Sequence, residues 1–274
     1  MKTWFITGAS RGLGALITEA VLASNDAVVA TARDPSSLGD HPRLLKLPLD
    51  VTKDGQASDA AAKGIEEFGR IDVLVNNAGY GLLGAVEEAG AIEVERVFAT
   101  NVFGLLNVTR AVLPYMRKRR SGHIINMSSL GGYASSAGWG VYCATKFAVE
   151  GISEALSIEL APLGIHATVI EPGYFRTDFL SAQSLRSTAV RIDEYADTVG
   201  EMRTFAAAAN HQQPGDPQRL AQVIVQLAAA SEPPTRLALG SDTVARIEQK
   251  HRDVKRELDL WRSVSLSTDF RSVT

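Results

Sequence analysis

Short apolar, β-branched runs recur along the chain at residues 3–6, 27–32, 44–47, 73–75, 124–127, 167–170 and 237–239, with longer segments of helical character between them. In the segment 141–160, Val149, Ile152, Leu156 and Leu160 follow three- and four-residue steps, the spacing of one helix face. Segments 13–23 and 53–68 read as further helices. Strands alternating with helices need crossover connections, which predicts a parallel sheet. The strands show little polar alternation, as expected when helices cover both faces. The expected architecture is α/β, a single-domain Rossmann-type doubly wound parallel sheet of about seven strands spanning residues 1–274.

From 177 to 217 the periodicity weakens into mixed polar residues and alanines, closed by the turn signal Gln213-Pro214-Gly215-Asp216-Pro217. This stretch reads as an insertion over the sheet, either a substrate lid or a plain helical excursion. Beyond Gly240, residues Val244, Ile247, Val254, Leu258 and Trp261 stand near helical spacing. They predict a helix over 241–261 that opens a carboxyl extension, 241–274, with a weakly ordered tail.

Composition narrows the function classes. Of 274 residues 45% are hydrophobic, and 28 Lys+Arg against 31 Asp+Glu give a net charge of −3. That balance lacks the basic field that holds a phosphate backbone, so no nucleic-acid partner is expected. The single cysteine, Cys143, precludes an internal disulfide, and His41, His123, His166, His211 and His251 lack metal-ligand spacing, so no metal is expected. No uninterrupted apolar run reaches the ~18 residues of a membrane span, and Thr7-Gly8 breaks any amino-terminal signal core. A reducing, cytoplasmic setting without membrane attachment is the expectation. The run Arg117-Lys118-Arg119-Arg120 reads as a solvated helix end.

Candidate chemistry begins where the first apolar run leads into Thr7-Gly8-Ala9-Ser10-Arg11-Gly12-Leu13-Gly14. Glycines at a strand-to-helix turn permit positive φ and close backbone approach, and the helix N-terminus offers free N–H groups to a phosphate. The spacing Gly-x-x-x-Gly-x-Gly lacks the Lys-Ser/Thr of a nucleotide-hydrolysing loop, which favours a dinucleotide. At the end of the second run, Arg33 joins Arg11 as a pair of guanidinium forks for a ribose 2′-phosphate. NADP(H) is therefore the expected cofactor. NAD(H) is the alternative, because Asp34 stands about 20 residues after the glycine turn, where an acid can bind a 2′-hydroxyl. Asp34-Pro35 also reads as a helix N-cap with proline at the first position.

Tyr142 and Lys146 stand four residues apart in the 141–160 helix and share a face. A cation beside a phenol lowers its pKa toward the range of acid–base work; a solvated surface pair is the plainer reading of the same spacing. Ser128-Ser129, after the run 124–127, and Asn76-Asn77 stand at the sheet edge where doubly wound folds bind ligands. Cys143 projects from a different helix face and reads as packing. His123 and His166 read as structural, and no role follows for Glu171. Tyr80, Gly81, Ala134, Trp139, Tyr174 and Phe175 are candidates for an apolar wall suited to a hydrophobic carbonyl or alcohol.

Taken in order, Thr7-Gly8-x-x-x-Gly12-x-Gly14, Asp50-Val51, Asn76-Asn77-Ala78-Gly79, Asn101, Ser129, Tyr142-x-x-x-Lys146 and Pro172-Gly173 with Thr177 resemble the short-chain dehydrogenase/reductase family over residues 2–180, and more loosely over 236–240. Thr31-Ala32-Arg33-Asp34 and the long carboxyl end are similar to its branch of bacterial oxidoreductases and 17β-hydroxysteroid-dehydrogenase-like enzymes. The resemblance implies hydride transfer between a nicotinamide and a carbonyl or secondary alcohol. It implies a catalytic set of Asn101, Ser129, Tyr142 and Lys146. Tyr142 would exchange the proton, Ser129 polarise the substrate oxygen, Lys146 hold the ribose and depress the phenol, and Asn101 seat a relay water. The cofactor set is Gly8, Ser10, Arg11, Gly12, Leu13, Gly14, Arg33, Asp50, Val51, Asn77, Ala78 and Gly79, with Asn101, Tyr142, Lys146, Pro172, Gly173 and Thr177. It further implies a homo-oligomer, dimer or tetramer, paired through 94–113 and 141–160. A non-catalytic cofactor sensor on the same fold, or an epimerase or dehydratase, are the competing classes.

Overall fold

The computed structural model describes residues 1–270. The chain runs β1 (Thr3–Thr7), α1 (Gly12–Ala23), β2 (Ala27–Ala32), β3 (Leu44–Pro48), α2 (Asp54–Phe68), β4 (Val73–Asn76), β5 (Gly81–Leu83), α3 (Ala91–Phe98), α4 (Gly104–Arg119), β6 (Gly122–Met127), α5 (Gly140–Leu160), β7 (Ile165–Pro172), β8 (Leu185–Ser187), α6 (Glu201–Ala209), α7 (Pro217–Ala229), β9 (Arg236–Leu239) and α8 (Ser241–Leu266). All seven expected strands enter one sheet, ordered β3-β2-β1-β4-β6-β7-β9, and every pairing is parallel.

The unbroken apolarity of the strands is explained by two cores, one per face. In β1, Trp4 and Ile6 pack with Ile17 and Val21 of α1 and Leu220 and Ile224 of α7. Phe5 between them points the other way, toward Ala57 and Ala61 of α2 and Val108, Val112 and Met116 of α4. The period of two is present, but both phases are hydrophobic because both faces are covered.

Several local expectations change. Asp34-Pro35 caps no helix; the Asp34 carboxylate instead accepts Ser36 N–H at 3.0 Å in a local turn. The stretch Ala91–Arg119 is long and apolar enough to cross a membrane by length and composition, yet half of its most apolar 18-residue window is buried inside the fold. Between α3 and α4 the backbone opens into a π-helical turn, Ala99–Phe103, which carries Asn101. The basic run is only partly a solvated end, because Arg119 reaches Asp72 at 2.9 Å and Ile71 O at 3.0 Å. The insertion is neither featureless nor purely helical. It contributes β8, which pairs in parallel with β5 (Leu82 opposite Arg186) to form a second, two-stranded sheet. The terminal helix runs past the expected Trp261 to Leu266. The expected weakly ordered tail ends in residues 271–274, outside the described residues.

Candidate active site

Strand order reverses between β1 and β4, the switch point at which doubly wound sheets leave a crevice beyond their carboxyl ends. A cleft of about 1420 Å³ opens there, lined by Gly8, Ser10, Arg11, Gly12 and Leu13, by Arg33, Asp50, Val51 and Asn77-Ala78-Gly79, by Ser129, Tyr142 and Lys146, and by Pro172, Gly173 and Thr177. The expected cofactor and catalytic residues thus converge on one cavity, Gly14 and Asn101 standing just behind its wall.

The glycine turn fits a pyrophosphate on its own geometry. Gly8 and Gly12 hold φ of +65° and +56°, and a Cβ on Gly14 would lie 2.2 Å from Gly8 O. Backbone therefore occupies the space side chains would take. No side chain caps the N-terminus of α1, which leaves its first N–H groups for a ligand. The turn is braced from β4: Thr7 Oγ1 accepts N–H groups of Asn77 and Ala78, both at 3.0 Å, and Asn77 Nδ2 donates to Thr7 O at 2.9 Å and Gly8 O at 3.1 Å. Asn76, placed at the ligand edge from sequence, is instead buried and tied to Thr109 at 3.0 Å and Asn126 at 2.9 Å. Asp50 accepts Thr52 N–H and hydroxyl at 3.0 and 2.8 Å, which steadies the loop after β3.

The two arginines do not converge. Arg33 is exposed at the end of β2 with no ion pair among the described residues. Arg11 crosses the cleft to the insertion, where Nη1 meets Gln183 Oε1 at 3.1 Å and Nη2 meets Gln183 O at 2.7 Å. A sequence-distant amide, invisible to motif reading, takes the second guanidinium.

Within α5, Tyr142 and Lys146 do share a face, with the Lys146 Nζ 5.7 Å from the Tyr142 ring centroid. Both are buried, which excludes the solvated-pair reading. The direction of the tyrosine shift is opposite to the sequence expectation. Burial pushes the Tyr142 phenol well above its ordinary value, eased only in part by hydrogen bonding toward Ser129. The same burial lowers Lys146 to about 8, against the supporting charge of Glu150. Lys146 Nζ donates to Met127 O at 2.8 Å. Asn101 Nδ2 donates to Tyr80 O at 3.0 Å and Thr145 Oγ1 at 3.1 Å, and its Oδ1 accepts Tyr80 N–H at 3.1 Å. Its amide thus clamps the segment after β4 and makes no direct bond to Lys146. Ser129 Oγ accepts Gly131 N–H at 3.1 Å, while Ser128 Oγ lies beneath Gly132.

The far end of the cleft is apolar. Trp139 and Phe179 flank the Tyr142 ring at centroid distances of 5.6 and 5.8 Å, with Leu83, Cys143, Leu180 and Ala206 packed around them. Cys143 is therefore a packing residue, as read from sequence. Ala134 is buried on this wall and Tyr174 stacks edge-on against Phe205 at 5.6 Å. Phe175 packs chiefly on the sheet core beside Gly215, and Tyr80 sits at the mouth among Arg33, Arg96 and Arg186. Sequence reading missed Phe179, Leu180 and Gln183 because they belong to the aperiodic insertion. It also missed Glu88, which anchors that insertion by accepting Ala85 N–H at 2.7 Å, Ile192 N–H at 2.9 Å and Arg203 Nη2 at 2.5 Å. Burial opposes ionisation there, yet these donors prevail and hold Glu88 at about 2.

A family model described as short chain dehydrogenase matches residues 2–187. This chain is a short-chain dehydrogenase. The short-chain dehydrogenase is 38% identical over 273 residues to oxidoreductase BOA17 of Botryotinia fuckeliana (97% of this chain, 99% of that one). It is 39% identical over 236 residues to 3-ketodihydrosphingosine reductase of Bacteroides thetaiotaomicron (86% of each). Its structure superposes on a short-chain dehydrogenase from Streptomyces avermitilis with a TM-score of 0.92 at 41% identity, covering 98% of this chain and 99% of that one. The NADP-bound structure of ElxO is similar at a TM-score of 0.74 and 26% identity, covering 89% of this chain and 99% of that one. Family and fold make the chain an NAD(P)-dependent oxidoreductase.

Proposed function

We propose that this dehydrogenase interconverts an apolar ketone or aldehyde and its alcohol with NADP(H), using Tyr142 as the proton donor and acceptor. The observation that carries the reading is the buried Tyr142–Lys146 face set between a dinucleotide cradle and an apolar wall. Bound nicotinamide supplies the hydride. Burial keeps the Tyr142 proton on its oxygen at neutral pH, the form needed to donate to a carbonyl oxygen as negative charge develops. Ser129, at the same wall, polarises that oxygen. Lys146 offers a short-range cation whose charge favours the phenolate after transfer.

The NADP preference rests on Arg33, the exposed guanidinium at the end of β2. The apolar substrate class rests on Trp139, Phe179 and Leu180, and it agrees with a relative named for reducing a 3-keto compound. Tyr142→Phe tests the core of the proposal. Turnover of a carbonyl panel should fall about 10²–10⁴-fold while the NADPH affinity and melting temperature hold; near-wild-type turnover in that variant overturns the assignment.

A further inference from the structure

The four-residue step that joins Tyr142 to Lys146 continues to Glu150. A carboxyl there is unusual, because the residue is buried and its side chain meets a second buried carboxyl, Glu171 of β7. Arg236 of β9 serves both, with Nε 3.3 Å from Glu150 and 3.9 Å from Glu171, but its shortest contact, 2.5 Å, goes to the exposed Glu154. One guanidinium, itself part-exposed, is thus divided among three acids. In this cluster three buried oxygens have no hydrogen-bond partner among the described residues: Glu150 Oε1, Glu171 Oε1 and Ser128 Oγ. Two of them, Ser128 Oγ and Glu150 Oε1, lie beneath the loop that carries Ser129. A Cβ placed on Gly132 would lie 2.3 Å from Ser128 Oγ, 3.0 Å from Glu150 Oε1 and 3.1 Å from the carbonyl of Lys146.

Buried polar atoms are normally paired, and two adjacent buried carboxylates do not both ionise readily. A proton retained on one carboxyl donates to the other, and the Ser128 hydroxyl is free to donate to Glu150. We propose that Glu150 and Glu171 share one proton near neutral pH and act as positioning residues, linking the charge behind α5 to Lys146 and to the Ser128–Gly132 loop. Burial, with the neighbouring Glu150, pushes Glu171 up to about 7, and Glu150 is raised as well.

The charged groups facing the pair are Lys146 and Glu154 from α5 and Arg236 from β9. Asp242 of α8 is committed to Tyr174 N–H at 2.8 Å. When the shared proton leaves, past Arg236 to solvent, the pair gains a second negative charge one turn from Lys146 and holds its ammonium more firmly. The kinetic part of this proposal rests on the oxidoreductase reading; the shared proton does not.

Infrared difference spectroscopy of the full chain between pH 6 and 9, with Glu171→Gln as reference, detects the protonated carboxyl without any turnover. The expected result is one carboxylic-acid band that titrates near neutrality in the wild type and is missing in Glu171→Gln. In kcat/KM profiles for carbonyl reduction, the neutral inflection should vanish in Glu171→Gln, and Glu150→Gln should move the alkaline limb of Lys146 to lower pH. Absence of a titrating band in the wild type overturns the shared proton, whether or not the variants fold. A profile in Glu171→Gln that is lowered evenly, without change of shape, shows a merely structural role and overturns the positioning. If no carbonyl is turned over, the functional reading fails while the infrared result still decides the proton.

Discussion

The two ends of the cleft are built on different principles. The dinucleotide end is made of backbone at adjacent strand ends, locked by short hydrogen bonds such as those from Asn77 and Ala78 to Thr7. The apolar end is made of side chains from β5, from α5 and from an insertion folded over the sheet, held by contacts between residues far apart in the chain. Glu88 and Arg203, 115 residues apart, are the main pin. Recognition of a common dinucleotide needs a geometry that a short motif can encode. An apolar wall needs only the right side chains brought together, and the chain achieves that over long range.

The largest effect should come from breaking that pin. Glu88→Ala leaves Arg203 and two backbone N–H groups without their acceptor in a buried site, which costs about 3–5 kcal/mol. Thermal melting should fall and KM for carbonyl substrates should rise, while NADPH titration of the folded protein stays near wild type. An equal loss of NADPH affinity would show that the two ends are one cooperative unit. Gly14→Ala attacks the other end. Its Cβ meets Gly8 O at 2.2 Å, overpacking worth about 1–3 kcal/mol, and dinucleotide binding should weaken at least as strongly as stability.

Arg33→Ala should weaken NADPH by about tenfold, some 1.4 kcal/mol, and leave NADH nearly unchanged, as read by fluorescence titration of each. Equal loss for both sinks the 2′-phosphate assignment. A pH-dependent effect lies in the shared scaffold, away from both ends of the cleft. Burial holds His123 near 3, where its ring accepts or donates one bond to Thr168 at 2.9 Å. The neutral ring is fully stabilising above about pH 6.5, its ordinary value, and that contribution is lost as pH falls toward 3. His123→Gln should flatten the decline of melting temperature between pH 6.5 and 4.5 without altering cofactor affinity at neutral pH.

Much of the dinucleotide end is legible because strand runs, glycine spacing and chain order are local facts. Each expected apolar run falls within a strand of the structure, and the motif residues fall where a doubly wound sheet must present them. Legibility fails where a residue's partner lies far away. Arg11 reads as a phosphate ligand until Gln183 is brought beside it. Asn76 reads as a ligand-edge amide until Thr109 and Asn126 enclose it. Asp34-Pro35 has the composition of a cap, but no helix follows to be capped. Glu171, with no role visible in sequence, acquires one only opposite Glu150 and Arg236.

By itself the sequence determined the parallel sheet, the place of the crevice and the types of residue that meet there, since periodicity and turn chemistry act within a few residues of the chain. Tertiary structure alone decided the apolar wall, the anchoring of the insertion and the direction of the Tyr142 shift. Desolvation depends on everything packed around a group. At Tyr142 that burial is the largest influence, and hydrogen bonding toward Ser129 offsets it only in part.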